Sequence, residues 1–240
     1  VTKQFSSVWT RPPRQPRSSG LGREQIVAAA TELLDADGLE ALSMRKLGAK
    51  LGAGATSLYW YVANKNELLE LVMDGMWGRV RLPEDETSWR EVAGTFAYRL
   101  RDTLLEHPWA AELLGRLPSL GPNSFRIGDR LRRAFVQAGF EGNDVYLATS
   151  TVMSYVLGTV LPEITYRKTL GAMEFDRDTM LATLEQVAAD YPEMIADYRE
   201  TVRSGDHDTM RALAFDFGLV CTLDGLAARV PAARNAATKT

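Results

Sequence analysis

The 240-residue sequence holds a single cysteine, Cys221, and two histidines, His107 and His207. One cysteine excludes an internal disulfide and any multi-cysteine metal site, and it fits a reducing cytoplasm. Neither histidine belongs to a recognisable ligand set. His107 precedes Pro108 at the end of a helical pattern, and His207 lies in a polar run with Ser204, Gly205, Asp206 and Asp208. Walker-type and Rossmann glycine patterns are missing, as is Gly-x-Ser-x-Gly. Paired acids such as Asp176 and Asp178 read as helix-start or surface charge. No catalysis, cofactor or metal is therefore expected. Cys221, set amid Phe217, Leu219 and Val220, reads as a buried small apolar residue. The N-terminus lacks the basic-then-apolar pattern of a signal peptide. The one long uncharged run, Val145 to Leu161, carries Thr149, Ser150, Thr151, Ser154 and Thr159, and Pro162 is expected to end it. It is marginal for a membrane span and reads as a buried helix, so no membrane partner is expected.

Acidic residues are absent from the first 23 positions, which hold Lys3, Arg11, Arg14, Arg17 and Arg23. The net charge of −3 argues against a polyanion partner, but the average hides a split. Residues 1–81 hold 11 Lys and Arg against 8 Asp and Glu, which leaves −6 for residues 82–240. Such asymmetry points to nucleic acid. Within residues 1–22, TRPPRQPRSSG has three prolines, three arginines and no apolar periodicity. It cannot bury enough surface to offset the entropy of ordering. This segment is expected to be a disordered basic arm. It is either a plain tail or an arm whose Arg11, Arg14 and Arg17 track phosphates or enter a minor groove.

From Arg23 onward the pattern is helical, and no strand-like alternation appears. Ile26, Ala30, Leu33 and Leu34 share one face, and Gly38 reads as a stop. Ser43 caps a second helix with Met44, Leu47 and Leu51 inward and Arg45, Lys46 and Lys50 outward. Gly52 and Gly54 permit a tight turn. Thr56 or Ser57 then caps a very short third helix, and Asn64 opens a fourth through Asn-x-x-Glu with Glu67. Two short helices joined by a glycine-containing turn behind a supporting helix describe a helix-turn-helix, whose second helix enters the major groove. Here that helix spans Thr56 to Val62. Leu58 and Val62 can pack inward. Tyr59 and Tyr61 cannot both follow, so their hydroxyls are expected at phosphates. Trp60 reads either as core or as a third contact.

The stretch IVAAATELLDADGLEALSMRKLGAKLGAGATSLYWYVANKNELLELV, Ile26 to Val72, resembles the DNA-binding head of the tetracycline-repressor (TetR) family of bacterial transcription regulators. The likeness is carried by Leu42 to Leu47, Leu51-Gly52, Ser57 to Val62, Asn64-Lys65 and Leu68-Leu69. Arg45 matches a family position that reaches a base edge, and the arginine fork suits guanine. Lys65 matches a phosphate lysine at a helix N-terminus. Tyr59 matches a phosphate-contacting tyrosine. Thr56 and Ser57 are small polar groups at the tip of the recognition helix. Tyr61 stands where the founding members carry histidine, and Ala55 and Thr56 where they carry glutamine and proline. Those positions read bases, so the resemblance implies DNA binding and not a particular operator.

The remainder reads as a helical bundle. Ser88-Trp89-Arg90-Glu91 is a capping box opening a helix with Trp89, Val92, Phe96, Leu100 and Leu104 at helical spacing. Later segments end at His107-Pro108 and Ala138-Gly139. EHPWAAELL, GPNSF and YVLG are similar to one branch of the family's effector domains, which bind a small molecule and dimerise through their last two long helices. Rows of small residues, Ser150, Ser154, Gly158 and Ala214, Gly218, Cys221, Gly225, would let helices approach closely. They serve either a homodimeric four-helix bundle or packing within one chain. Phe96, Leu100, Trp109, Leu113, Leu117, Phe125, Leu131, Met153 and Leu157 are the candidate lining of a pocket for an apolar or aromatic effector, unless they are plain core. The expectation is an all-α, homodimeric, ligand-responsive repressor. Its parts are an arm (1–22), a helix-turn-helix head (23–81) and a ligand-binding and dimerisation bundle (82–240). The alternative is a DNA-binding or scaffold protein without an effector.

Overall fold

The computed structural model describes residues 7–10, 21–84, 87–170, 177–203 and 207–230. Its regular elements are all helical: α1 (Arg23–Ala41), α2 (Met44–Lys50), α3 (Ala55–Leu58), α4 (Lys65–Arg79), α5 (Trp89–Glu106), α6 (Pro108–Leu113), α7 (Pro122–Ala138), α8 (Asn143–Leu170), α9 (Arg177–Val187), α10 (Pro192–Arg203) and α11 (His207–Ala227), after a 3-10 turn at Val8–Thr10. The capping chemistry read from the sequence is in place. Ser43 Oγ accepts from the Lys46 amide at 3.2 Å, Asn64 Oδ1 from Glu67 at 3.0 Å and Ser88 Oγ from Glu91 at 3.2 Å. Each satisfies a backbone donor that the first helical turn leaves open.

Helices α1 to α4 form the head. α5 is the centre of the body, with Val92, Phe96, Leu100 and Leu104 fully buried. It packs against α7, α8 and α11. Helix α4 packs on α1 and also on α5, α6 and α7, so it belongs to both parts.

Several expectations are corrected. Gly38 does stop the regular helix as read, at φ 75° and ψ −179°, but a short helical stretch follows it to Ala41. Pro162 lies inside α8, which runs on to Leu170. Proline removes one helical hydrogen bond and crowds the carbonyl four residues back, here that of Gly158, and the helix nevertheless continues. Beyond it, buried Glu163 accepts from Arg101 and Arg167, both at 2.9 Å, and pins the continuation. Nor is α8 buried all round. Val145, Ala148, Val152, Val156 and Val160 face the core, whereas Tyr146 (74% exposed), Leu147 and Leu161 face outward. By length and composition it could cross a membrane, yet only 22% of its apolar window is buried in the chain. Cys221 is exposed on α11, on an outward face shared with Phe217 and Val220.

The N-terminal segment also departs from expectation at residues 7–10. Val8 is 4% exposed, and both its amide and the Ser7 hydroxyl donate to Glu70 of α4. An apolar pair, Val8-Trp9, just before the proline-arginine run gives this short stretch something to bury. Arg11, Arg14 and Arg17 lie outside the described residues.

Gly38 carries a specific cost. No atom lies within 4 Å of where its Cβ would stand, so its requirement is purely backbone. Gly38→Ala is expected to lower the unfolding free energy in urea by about 1–3 kcal/mol, the cost of a non-glycine residue in that region. Gly54→Ala, on an exposed turn without positive φ, should change it by less than about 0.5 kcal/mol.

Candidate nucleic-acid interface

The edge of the head is built on two anchors. Leu58 and Val62 are both fully buried and fix a tight segment: a single turn, α3, followed by bends through Tyr61. The Tyr61 amide reaches back to the Leu58 carbonyl at 2.9 Å, and Val62 to the same oxygen at 3.1 Å. The regular helix is thus shorter than Thr56 to Val62. With those two side chains turned inward, Thr56, Ser57 and Tyr59 are left outside, Tyr59 at 46% exposure. Arg45 is exposed on α2, which packs against α3. This group offers a guanidinium fork, two small hydroxyls and a phenol.

Tyr61 and Lys65 are used differently from what the sequence suggested. The Tyr61 hydroxyl donates to the Leu21 carbonyl and ties the recognition segment to the chain entering α1. Its ring is half-buried against the core. The side chain is thereby committed within the fold. Lys65 Nζ donates to the Leu39 carbonyl at 3.1 Å, at the end of α1. Trp60 is half-buried. Outward-pointing Lys46 and Lys50 are in ion pairs with Asp37 (3.5 Å) and Glu32 (2.7 Å).

Sequence reading placed Glu67 at the cap of α4 but missed Glu70 and Asp74, which with it set the position of this edge. Glu67, Glu70 and Asp74 are buried on α4, at 2%, 7% and 5% exposure. Steps of three and four put them on one stripe of the helix. Glu67 accepts from the Ala63 amide at 2.8 Å, immediately after the recognition segment. Glu70 takes the N-terminal turn. Asp74 accepts from the Asn123 and Ser124 amides at 3.0 and 3.1 Å and from Asn123 Nδ2 at 3.0 Å, and so caps α7 of the body. Burial pushes its carboxyl above the ordinary aspartate range, against the pull of those donors. Gly121 makes room for it, since a Cβ there would lie 2.2 Å from the Asp74 carboxyl carbon. The signal was present as three acids inside the otherwise apolar run ELLELVMDGMW.

The body gives a mixed answer to the proposed effector lining. Phe96, Leu100, Trp109, Leu113 and Leu131 are buried, and Leu117, Met153 and Leu157 half-buried. Phe125 is 61% exposed. It lies two positions before Ile127, whose face α7 turns to the core with Leu131 and Phe135, and two helical steps place it on the other side. Of the nine, Trp109 lines a cavity between head and body. Among the small residues, Gly218 serves packing within the chain, because a Cβ there would stand 2.6 Å from the Tyr155 hydroxyl. Gly158 and Gly225 face open space.

Two family models match the chain: bacterial regulatory proteins of the tetR family over residues 26–72, and the tetracyclin repressor-like C-terminal domain over residues 82–230. The chain belongs to the TetR family. A relative in Saccharopolyspora erythraea, an HTH-type transcriptional regulator, is 42% identical over 194 residues, 80% of this chain and 81% of its own. The crystal structure of Streptomyces coelicolor ActR in complex with actinorhodin superposes with a TM-score of 0.71 at 28% identity, covering 88% of this chain and 98% of ActR. BioQ with its natural double-stranded DNA operator gives 0.59 at 30% identity, over 87% and 99% of the two chains. The protein is accordingly a TetR-family transcription regulator with a helix-turn-helix head.

The two tyrosines should separate by measurement. Tyr61→Phe is expected to cost about 0.5–1.5 kcal/mol of stability, the net worth of one hydrogen bond. Tyr59→Phe should leave the unfolding midpoint unchanged. Equal midpoints for Tyr61→Phe and the parent protein would refute the tie to Leu21.

Proposed function

We propose that this regulator is a homodimeric repressor in the bacterial cytoplasm that leaves its operator when a small apolar or aromatic molecule binds the body. The observation that carries this reading is the pairing of two outward surfaces on one chain. One is the polar and aromatic edge of Arg45, Thr56, Ser57 and Tyr59. The other is the apolar face of α8 and α11, with Tyr146, Leu147, Phe217 (75% exposed) and Val220. An apolar patch of that kind marks an interaction surface. Two copies packed through α8 and α11 would form a four-helix bundle and present two recognition segments to successive major grooves. BioQ, held on its DNA operator, and ActR, holding actinorhodin, support the two binding roles. Trp60 and Lys65 remain candidate contacts with DNA, as do Arg11, Arg14 and Arg17 of the arm.

A second reading, a DNA-binding protein without a small-molecule input, is favoured by the tight packing of Phe96, Leu100 and Leu131. Linkage separates the two. A ligand that weakens operator affinity must itself bind more weakly, by the same factor, when operator is present, and 10- to 150-fold requires only about 1.4–3 kcal/mol.

On a duplex selected by the protein from random sequence, Arg45→Ala and Tyr59→Phe should each weaken binding by about ten-fold or more, the loss of one charge-assisted hydrogen bond. Neither should change thermal stability. Phe217→Glu should convert dimer to monomer in light scattering and abolish retardation of that duplex. Unchanged retardation in all three variants would overturn the proposed interface.

A further inference from the structure

A cleft of about 430 Å³ opens between α5, α8 and α11, toward the C-terminal end of α8 and the N-terminal end of α11. That size suits a small aromatic molecule. Its floor is made of small side chains. They are Pro162, Ala214 and Gly158, and no atom lies within 4 Å of where a Cβ on Gly158 would stand. Two arginines wall it, Arg101 from α5 and Arg211 from α11.

Each guanidinium is held against a ring. Arg101 lies over Phe215, 5.1 Å from the ring centroid, and Arg211 over Tyr166 at 3.9 Å. Such stacking holds the guanidinium in place and leaves its N–H edge to donate. That edge is largely unspent. Arg101 gives one hydrogen bond, from Nη2 to Glu163 at 2.9 Å. Arg211 gives none among the described residues. The acid next to it, Asp208, is 3.7 Å away and already takes Arg167 at 3.3 Å. None of the remaining N–H groups of either arginine is enclosed, so each reaches solvent. Charge points the same way. Glu163, 5% exposed, already accepts from both Arg101 and Arg167. Arg101, Arg167 and Arg211 against Glu163 and Asp208 leave one positive charge without a counterpart.

We propose, on the reading of the body as the ligand-binding part, that this cleft is its effector site and takes a flat aromatic carboxylate. The carboxylate accepts from the guanidinium edges, which offer paired N–H groups to two oxygens. The ring lies on Gly158, Pro162 and Ala214, where larger side chains would fill the space. Ala214 stands about one turn before Phe217, so an occupant touches the helix that carries the apolar face of the proposed dimer.

The test uses the full-length protein without DNA and 9-anthracenecarboxylate, followed by its own fluorescence anisotropy. The acid should bind, and 9-anthracenemethanol, with the same ring and no charge, should compete at least ten-fold more weakly. Arg211→Gln removes a charge without touching Glu163, and Gly158→Leu fills the floor. Each should weaken binding of the acid at least ten-fold. Arg211 is a partly exposed side chain with no hydrogen bond to lose, so its variant decides the matter even if Gly158→Leu fails to fold. No binding of the acid, equal competition by the alcohol, or unchanged affinity in Arg211→Gln would overturn the proposal. Retardation of the selected duplex is read separately. An acid that binds as expected yet leaves the duplex retarded keeps this site and counts against release by an effector. An acid that fails to bind removes this site and leaves release to another molecule.

Discussion

Three carboxylates buried on one stripe of α4 hold this molecule together. Burying a charge is costly unless it is paired or hydrogen-bonded, and here each acid is satisfied by donors from a different part of the chain. Glu67 holds the segment after α3, Glu70 the N-terminal turn and Asp74 the start of α7. Each is therefore a point where the chain must return to α4 or leave a buried acid unsatisfied. The remaining buried positions of the helix, among them Leu68, Val72, Met76 and Trp77, supply the apolar contact around these ties.

The orientation of the recognition edge follows from that arrangement. Leu58 and Val62 set which side chains point inward, but where the edge sits relative to the body depends on α4, which packs on both. The contact of α1 with α6, through Asp35, Trp109 and His107, is a second and more polar connection. Head and body are thus joined by hydrogen bonds to acids as well as by apolar contact.

Local chemistry was legible in the sequence, and long-range pairing was not. Ser43, Asn64 and Ser88 cap as read because a cap involves residues only three apart. Leu58 and Val62 are buried as read because helical spacing fixes which side chains share a face. Tyr61, Phe125 and Pro162 were misread for one reason. The partner or face that decides each lies elsewhere in the fold: the Leu21 carbonyl, the face chosen by α7, and Arg101 of α5 on Glu163 just beyond Pro162. Cys221 looked buried because its neighbours are apolar, but those neighbours form an outward face. Val8 and Trp9 were hidden by the arginine-proline run after them. Glu70 and Asp74 of α4 were the most informative signal passed over, since charge inside an apolar helix announces a buried partner.

Hydrogen–deuterium exchange of the full-length protein, comparing Asp74→Ala with the parent chain, tests the role of α4 most directly. Cutting the tie to α7 at one end should raise exchange of the Ala63 to Glu67 amides at the other, while the core of α5 stays protected. Faster exchange confined to Asn123, Ser124 and the first turn of α7 would contradict it, because α4 would then join head and body without carrying anything between them.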